Sequence, residues 1–199
     1  MGTVFALARE AAAMDLAEIE TLLESDLHEA RAGALRIMAE QAKAKRTTPE
    51  RRRELYELYL RRIDRIDNWD LVDLGAWEVV GRYLIDQPRD ILYTLAASGN
   101  VWERRTAIYA TIAFLRNGES DDAFAISELL VDDPHDLVHK AVGGVLRWAG
   151  DLDLPRLRAF LDRHASTMPR VMLRYAIEHL DADERARYMG VGAARGKRA

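Results

Sequence analysis

The residues of this chain best suited to chemistry are a tryptophan and an aspartate, Trp69 and Asp73, in the segment "NWDLVD". The segment reads as helical, so residues four apart lie on one face, about one turn from each other. A carboxylate beside an indole has two interpretations. In the structural one, Trp69 packs in the core and Asp73 is exposed or caps the next helix. In the functional one, the carboxylate stabilises a positive charge that develops during a reaction. The two residues alone leave both open.

Other kinds of reactive site lack the residues they need. The chain has no cysteine, which excludes thiolate chemistry and disulfides. Its five histidines include one pair at helical spacing, His135 and His139, but only Asp136 lies nearby and no third ligand follows. We therefore predict no metal site. No glycine-rich phosphate loop and no GxSxG element is present, and we expect no cofactor.

Composition predicts a folded protein that functions in the cytoplasm. The 199 residues are 49% hydrophobic and 31% charged, enough for one domain or one repeat array with a sizeable core. No apolar run approaches the roughly 18–20 residues of a membrane-spanning helix, and the N-terminus lacks the features of a signal peptide. The net charge of −4 does not indicate nucleic-acid binding, so such a function must depend on where the charges lie.

Helix signals run along the whole chain and predict helices without a sheet, among them helices over 69–74, 76–86 and 101–117. Proline and glycine fall mostly between segments of helical apolar periodicity. Thr48 places a capping residue before Pro49 at the first helical position, and Asp181 with Glu184 has the spacing of a capping box.

A repeat becomes visible when three of the predicted helices are aligned. Ala107, Ala141 and Ala176 then share a position, spaced by 34 and 35 residues. Helix-pair repeats of roughly this length predict an all-α superhelix, a HEAT-like or armadillo-like solenoid. We expect neighbouring pairs to stack and curve, which gives a concave basic face. The aligned segments are "VWERRTAIYATIAFL", "DLVHKAVGGVLRWAG" and "MPRVMLRYAIEHL".

The shared frame brings basic residues to one register of the array. Single arginines on helices are most often solvated, but recurrence at repeat spacing on a concave face favours binding. The frame groups Arg31, Val72, Arg105, His139 and Arg174, with Ala32, Asp73, Thr106, Lys140 and Tyr175 next in line.

A second basic region covers residues 43–65, with nine Lys or Arg against four Asp or Glu. It is either a rim that contacts phosphates or a solubilising surface of ordinary ion pairs.

Three long blocks of the chain together resemble the DNA alkylation repair (AlkD-like) family of HEAT-repeat DNA glycosylases. The similarity extends from about Phe5 to Met189, nearly the whole chain. The blocks are "NWDLVDLGAWEVVGRYL", "WERRTAIYATIAFLRNGESDDAFAISELLVDDPHDLVHKAVG" and "TMPRVMLRYAIEHLDADERARYM".

This resemblance implies excision of positively charged N3- and N7-alkylated purines, such as 3-methyladenine and 7-methylguanine, from duplex DNA during base excision repair. It implies Asp73 as the catalytic carboxylate, Trp69 as a contact to the deoxyribose, and Arg105 as the group that holds the DNA backbone. The family acts on the duplex without extruding the base into an enclosed pocket. Further phosphate contacts are expected from Arg104, Lys140, Arg147 and Arg174.

Two features depart from the family pattern. Relatives carry a tryptophan directly after "HKAVG", where this chain has Gly144, and Trp148 lies one turn further along. Losing an aromatic contact of about 0.5–2 kcal/mol is expected to slow excision by about 2- to 30-fold. Relatives also have a further helical segment before "MGTVFALARE", so we expect a shortened chain or an internal start.

These observations predict one domain over 1–189 and a disordered basic tail over 190–199. We expect a monomer that binds double-stranded DNA in a bacterial-type cytosol, associated with the nucleoid when on DNA. The alternative function is a non-catalytic HEAT-repeat module that binds DNA or protein. A scaffold without affinity for DNA is a third possibility.

Overall fold

The computed structural model describes residues 2–191, and every regular element within that range is a helix. The predicted all-α class is confirmed, with helices packed on helices as in a helical-repeat fold. The chain divides into two compact units between Ile91 and Leu92. The α-helices of the described range are α1 (Gly2–Glu10), α2 (Leu16–Glu24), α3 (His28–Lys43), α4 (Pro49–Arg61), α5 (Trp69–Gly75), α6 (Asp90–Ala96), α7 (Val101–Ala110), α8 (Ile112–Arg116), α9 (Asp121–Leu129), α10 (Asp136–Leu152), α11 (Leu154–His164), α12 (Arg170–Ala176) and α13 (Ala182–Val191).

In the first unit, α3 lies at the centre and contacts α1, α2, α4 and α5. Its inner face carries Leu35 and Met38, which have no exposed surface. Burial of a side chain of this size stabilises the fold by about 1.5–3 kcal/mol. Helix α4 begins as predicted, with the Thr48 hydroxyl accepting the backbone N–H of Arg51 at 3.2 Å.

Helix α5 continues beyond the predicted range of 69–74. Ala76–Gly81 extends it as a π-helix, so the predicted helix over 76–86 belongs to the same helical run. Gly75 stands at the junction, where a Cβ would lie 2.7 Å from the Tyr59 ring and 3.0 Å from a methyl of Leu35. The missing side chain lets α5 approach α3 and α4 closely. Such π-turns are frequent at functional sites.

In the second unit, the long helix α10 contacts α7, α9, α11 and α12. It crosses α12 at Gly143, where a Cβ would lie 2.5 Å from the carbonyl oxygen of Met172. Only glycine allows this approach. The predicted helix over 101–117 divides at Thr111, whose hydroxyl donates to the carbonyl of Ile108 at 2.6 Å. Such a bond draws the side chain back onto its own helix and bends it.

The prediction of one domain over 1–189 stays a prediction. The predicted tail over 190–199 begins with the last two residues of α13, Gly190 and Val191, and the rest of it lies outside the described residues. Within residues 2–191, no helix is both long enough and apolar enough to span a membrane.

Candidate functional site

Helix α5 turns its apolar side inward and leaves Trp69 and Asp73 on another side. Leu71 and Val72 are completely buried, whereas Trp69 is 50% exposed and Asp73 is half-buried. The exposure of Trp69 excludes the interpretation that the indole is a core residue. Asp73 lies inside a continuous helical run, so it does not cap a following helix. The functional interpretation of this pair stays a prediction.

Two polar contacts join the start of α5 and the turn before it to the first turn of α3. His28 Nε2 donates to Asp70 Oδ2 at 2.7 Å, and Arg31 donates to Asp67 Oδ1 at 2.9 Å. The second carboxylate oxygen of Asp70 accepts the backbone N–H of Leu71 at 3.0 Å. The sequence predicted neither pair, because the partners are 42 and 36 residues apart and no short motif signals the pairing.

A basic side chain at the fourth residue of a helix recurs in both units. Arg31 donates to the carbonyl of Ser25 at 3.2 Å, and Arg104 donates to the carbonyl of Ser98 at 2.9 Å. His139 makes the corresponding bond in α10. In each case the carbonyl lies six residues earlier, near the end of the preceding segment. Side-chain donors at such carbonyls satisfy C=O groups that have no partner within their own helix.

This register corrects the predicted frame at two positions. The frame placed Arg105 and Arg174 with the fourth-residue group, but they are the fifth residues of α7 and α12. Asp73 and Lys140 are the fifth residues of α5 and α10. One repeat position therefore holds the predicted catalytic acid in the first unit and three predicted DNA contacts in the second.

The two adjacent arginines of α7 are engaged inside the second unit. Arg104 forms a bidentate pair with Asp133 at 2.6 and 3.3 Å, and only 2% of the Asp133 side chain is exposed. Arg105 is 4% exposed and donates to the Leu137 carbonyl at 2.5 Å and the Tyr109 hydroxyl at 3.1 Å. Their contacts with DNA stay predictions, and these bonds also give both arginines a structural role.

The remaining basic candidates reach solvent from α10 and α12, which pack on each other. Lys140 Nζ lies 3.0 Å from Asp136, and this hydrogen bond holds the pKa of the Asp136 carboxyl below its ordinary value. Arg147 pairs with Glu178. Arg174 is exposed and forms no ion pair within residues 2–191. Three of the predicted phosphate contacts thus lie on two helices that pack on each other.

The basic region over 43–65 is largely used in holding the first unit together. Arg52 donates to two carbonyls at the end of α3, and Arg65 donates to three at the end of α2. Of the two interpretations of this region, the structure favours a surface of ordinary pairs over a phosphate rim. The ion pairs include Lys43–Glu40, Arg53–Glu57 and Arg61–Glu20.

Helix α10 has an open place at Gly144. A Cβ there would meet no atom within 4 Å, in contrast to the neighbouring Gly143. Trp148, one turn along the same helix, is 40% exposed. A side chain at Gly144 can therefore leave the helix without a clash at its Cβ.

The described residues contain no group of three or more His, Asp or Glu side chains placed to hold a metal ion.

A family model described as DNA alkylation repair enzyme matches residues 1–180. The matched range contains all seven predicted site residues. No curated protein matches the chain.

Proposed function

The chain belongs to the family of DNA alkylation repair enzymes, and on this premise we propose that it is a DNA glycosylase for N3- and N7-alkylated purines. DNA is the substrate or partner that the family implies. The proposed reaction is hydrolysis of the N-glycosidic bond of cationic lesions, such as 3-methyladenine and 7-methylguanine, in duplex DNA. We further infer a monomer that acts in the cytoplasm and associates with the nucleoid when on DNA.

The observation that carries the proposal is the half-exposed Trp69 one helical turn before Asp73 on α5. A cationic alkylpurine is already a good leaving group, so its departure needs no general acid. The deoxyribose left behind resembles an oxocarbenium ion, which the Asp73 carboxylate stabilises electrostatically. The same carboxylate orients or deprotonates the attacking water. Trp69 offers its ring face to the sugar.

Three cations of the second unit that reach solvent supply the proposed contacts with DNA. Lys140, Arg147 and Arg174 stand on two helices that pack on each other, and phosphate contacts from them position the duplex without reading its sequence. Arg104 and Arg105 are also proposed contacts to the DNA backbone. Both are largely buried and fix α7, so a contact from either guanidinium is less solvated than one from an exposed side chain.

The proposal is tested by measuring release of 7-methylguanine and 3-methyladenine from alkylated duplex DNA. We expect release by the wild type and a loss of about 10²- to 10³-fold in Asp73→Asn, which keeps the shape and removes the charge. Asp86→Asn is the matched control, because Asp86 is an exposed acid of the same unit outside α5. Equal release by Asp73→Asn and the wild type would remove Asp73 from the mechanism.

A second outcome distinguishes the alternative function. If neither the wild type nor Asp73→Asn releases a base, while both bind duplex DNA, the protein is a non-catalytic binding module. Gly144 is the observation that favours this alternative, because relatives carry a tryptophan there.

A further inference from the structure

We propose that His28, acting through Asp70, is a positioning residue that holds Trp69 and Asp73 in the orientation used for excision. The catalytic consequence rests on the proposed glycosylase activity. The effect on the order of α5 does not rest on that activity, since it follows from the contacts of the folded chain.

The first turn of α5 needs support from outside, because the first N–H groups of a helix have no partner within it. Further along the helical run, Gly75 packs closely against α3 and α4 and holds the helix there. In the first turn, Leu71 and Val72 are completely buried, whereas Trp69 is half-exposed. Burial of the indole therefore cannot hold its orientation, and a polar contact beside Trp69 adds to the support from the apolar side.

Asp70 provides this polar contact, an anchor that links two helices. One of its oxygens accepts the N–H of Leu71 within the first turn of α5, and the other accepts His28 Nε2 at 2.7 Å. The side chains of His28 and Asp70 are 31% and 21% exposed, so the pair is partly shielded from solvent and stronger than a surface pair. Trp69 precedes Asp70 directly and Asp73 follows three residues later, so fraying at Asp70 displaces both.

The His28–Asp70 pair is specific to this helix, which distinguishes it from the general scaffold. The arginine–aspartate pair beside it has a counterpart in the second unit, between Arg104 and Asp133. The histidine–aspartate pair has none there: the corresponding first residue of α7 and second residue of α10 are Val101 and Leu137. The added pair occurs where the chain carries the indole and the acid.

The first test measures excision under single-turnover conditions, with duplex affinity measured separately. We expect His28→Ala to slow excision roughly tenfold, below the roughly 100-fold that a 1 Å misplacement can cause, with DNA affinity within about twofold. His28→Gln places an amide donor at similar reach of Asp70 and is expected to recover the rate to within about threefold. Excision by His28→Ala at the wild-type rate would overturn the proposal, as would a slow rate that His28→Gln does not rescue.

The matched control is His164→Ala. His164 pairs with Glu128 at the same distance, 2.7 Å, in the second unit. The substitution removes an equivalent histidine–carboxylate contact away from α5, and we expect the excision rate to stay unchanged. An equal loss in both variants would show a general effect on the fold and contradict positioning by His28.

Amide hydrogen exchange separates this proposal from the proposed function. We expect His28→Ala to speed exchange across residues 69–75 about tenfold and to leave residues 101–110 unchanged. If the wild type releases no base, the glycosylase proposal fails, and exchange alone decides the structural claim. Faster exchange confined to 69–75 then supports the anchor, and unchanged exchange there overturns it.

Discussion

The turns that lead into α5 and α10 are held by the same kind of contact in different surroundings. In the first unit Arg31 donates to Asp67, whose side chain is 51% exposed, and a histidine–aspartate pair stands beside it. In the second unit Arg104 grips Asp133 with two bonds, and the Asp133 side chain is 2% exposed. The shared arginine–aspartate contact identifies the repeat. The exposure of the aspartate and the added histidine pair distinguish the two units.

Under the proposed function, the two units have separate tasks. The first has a helix with an acid and an exposed indole, which suits chemistry on a sugar. The second has a buried arginine–aspartate pair, and cations on α10 and α12 that reach solvent, which suit contact with phosphates. At the fifth helix position, Asp73 in the first unit corresponds to Lys140 and Arg174 in the second.

The largest difference in stability is expected between Arg104→Ala and Arg31→Ala. Removing Arg104 leaves the buried Asp133 carboxylate unpaired, which costs about 3 kcal/mol. Removing Arg31 takes a partner from Asp67, which is already half-exposed, and lowers the free energy of unfolding by about 1 kcal/mol. Urea unfolding of both variants measures the two costs. Equal losses in the free energy of unfolding would show that the Arg31–Asp67 and Arg104–Asp133 pairs contribute equally to stability.

Gly143 and Gly144 offer the next contrast, within one helix. Gly143→Ala drives a Cβ to 2.5 Å from the Met172 carbonyl and is expected to destabilise the protein by about 1–3 kcal/mol. Gly144→Trp enters open space and is expected to leave stability within about 0.5 kcal/mol. If it restores the family's aromatic contact, excision rises by about 2- to 30-fold. Thermal unfolding and base release measure the two effects, and a strongly destabilised Gly144→Trp would contradict the open site.

Arg174 tests the phosphate surface directly. Arg174→Ala is expected to weaken duplex binding regardless of sequence and to lower the slope of log affinity against log salt by about 1. Arg163→Ala is the control, because Arg163 is equally a solvent-exposed arginine of the second unit but is paired with Glu128. Binding that is indifferent to salt, or an equal slope change in both variants, would argue against this surface.

The smallest effect concerns Asp136, whose pKa is lowered chiefly by the hydrogen bond from Lys140. The bond stabilises the ionised carboxylate, so its contribution is present above the unfolded pKa of about 3.9 and is lost as pH falls through the lower folded value. We expect Lys140→Ala to raise the pKa of Asp136 towards its ordinary value. A carboxyl titration followed by NMR measures this, and an unchanged pKa would show that Lys140 is not the cause.

Local signals in the sequence predicted the helical class and several helix starts. Thr48 caps α4, and Asp181 accepts the N–H of Glu184 at 2.8 Å, both as predicted. These features depend on residues within one turn of each other, so spacing alone reveals them. The indole and the acid of α5 were found for the same reason, since four residues separate Trp69 from Asp73.

Features that depend on packing between distant segments were not predictable. Neither the π-helical turn after α5 nor the close approach of Gly75 to Tyr59 and Leu35 is shown by any local pattern. No local signal distinguished the two adjacent arginines either. The frame aligned Arg105 with Arg31, whereas the hydrogen bond from Arg104 to the carbonyl of Ser98 shows that Arg104 is the equivalent residue. A shift of one residue turns a side chain by about 100° around the helix axis. A repeat seen in sequence therefore fixes the repeat length better than the direction in which each side chain points.

The most direct test of the central claim is the single-turnover rate of 7-methylguanine release by Asp73→Asn relative to the wild type, with the affinity of each for duplex DNA. The account predicts a rate at least about 100-fold lower at an affinity within about twofold, because the lost charge acts only on the sugar cation. Equal rates, or a loss explained entirely by weaker DNA binding, would contradict it.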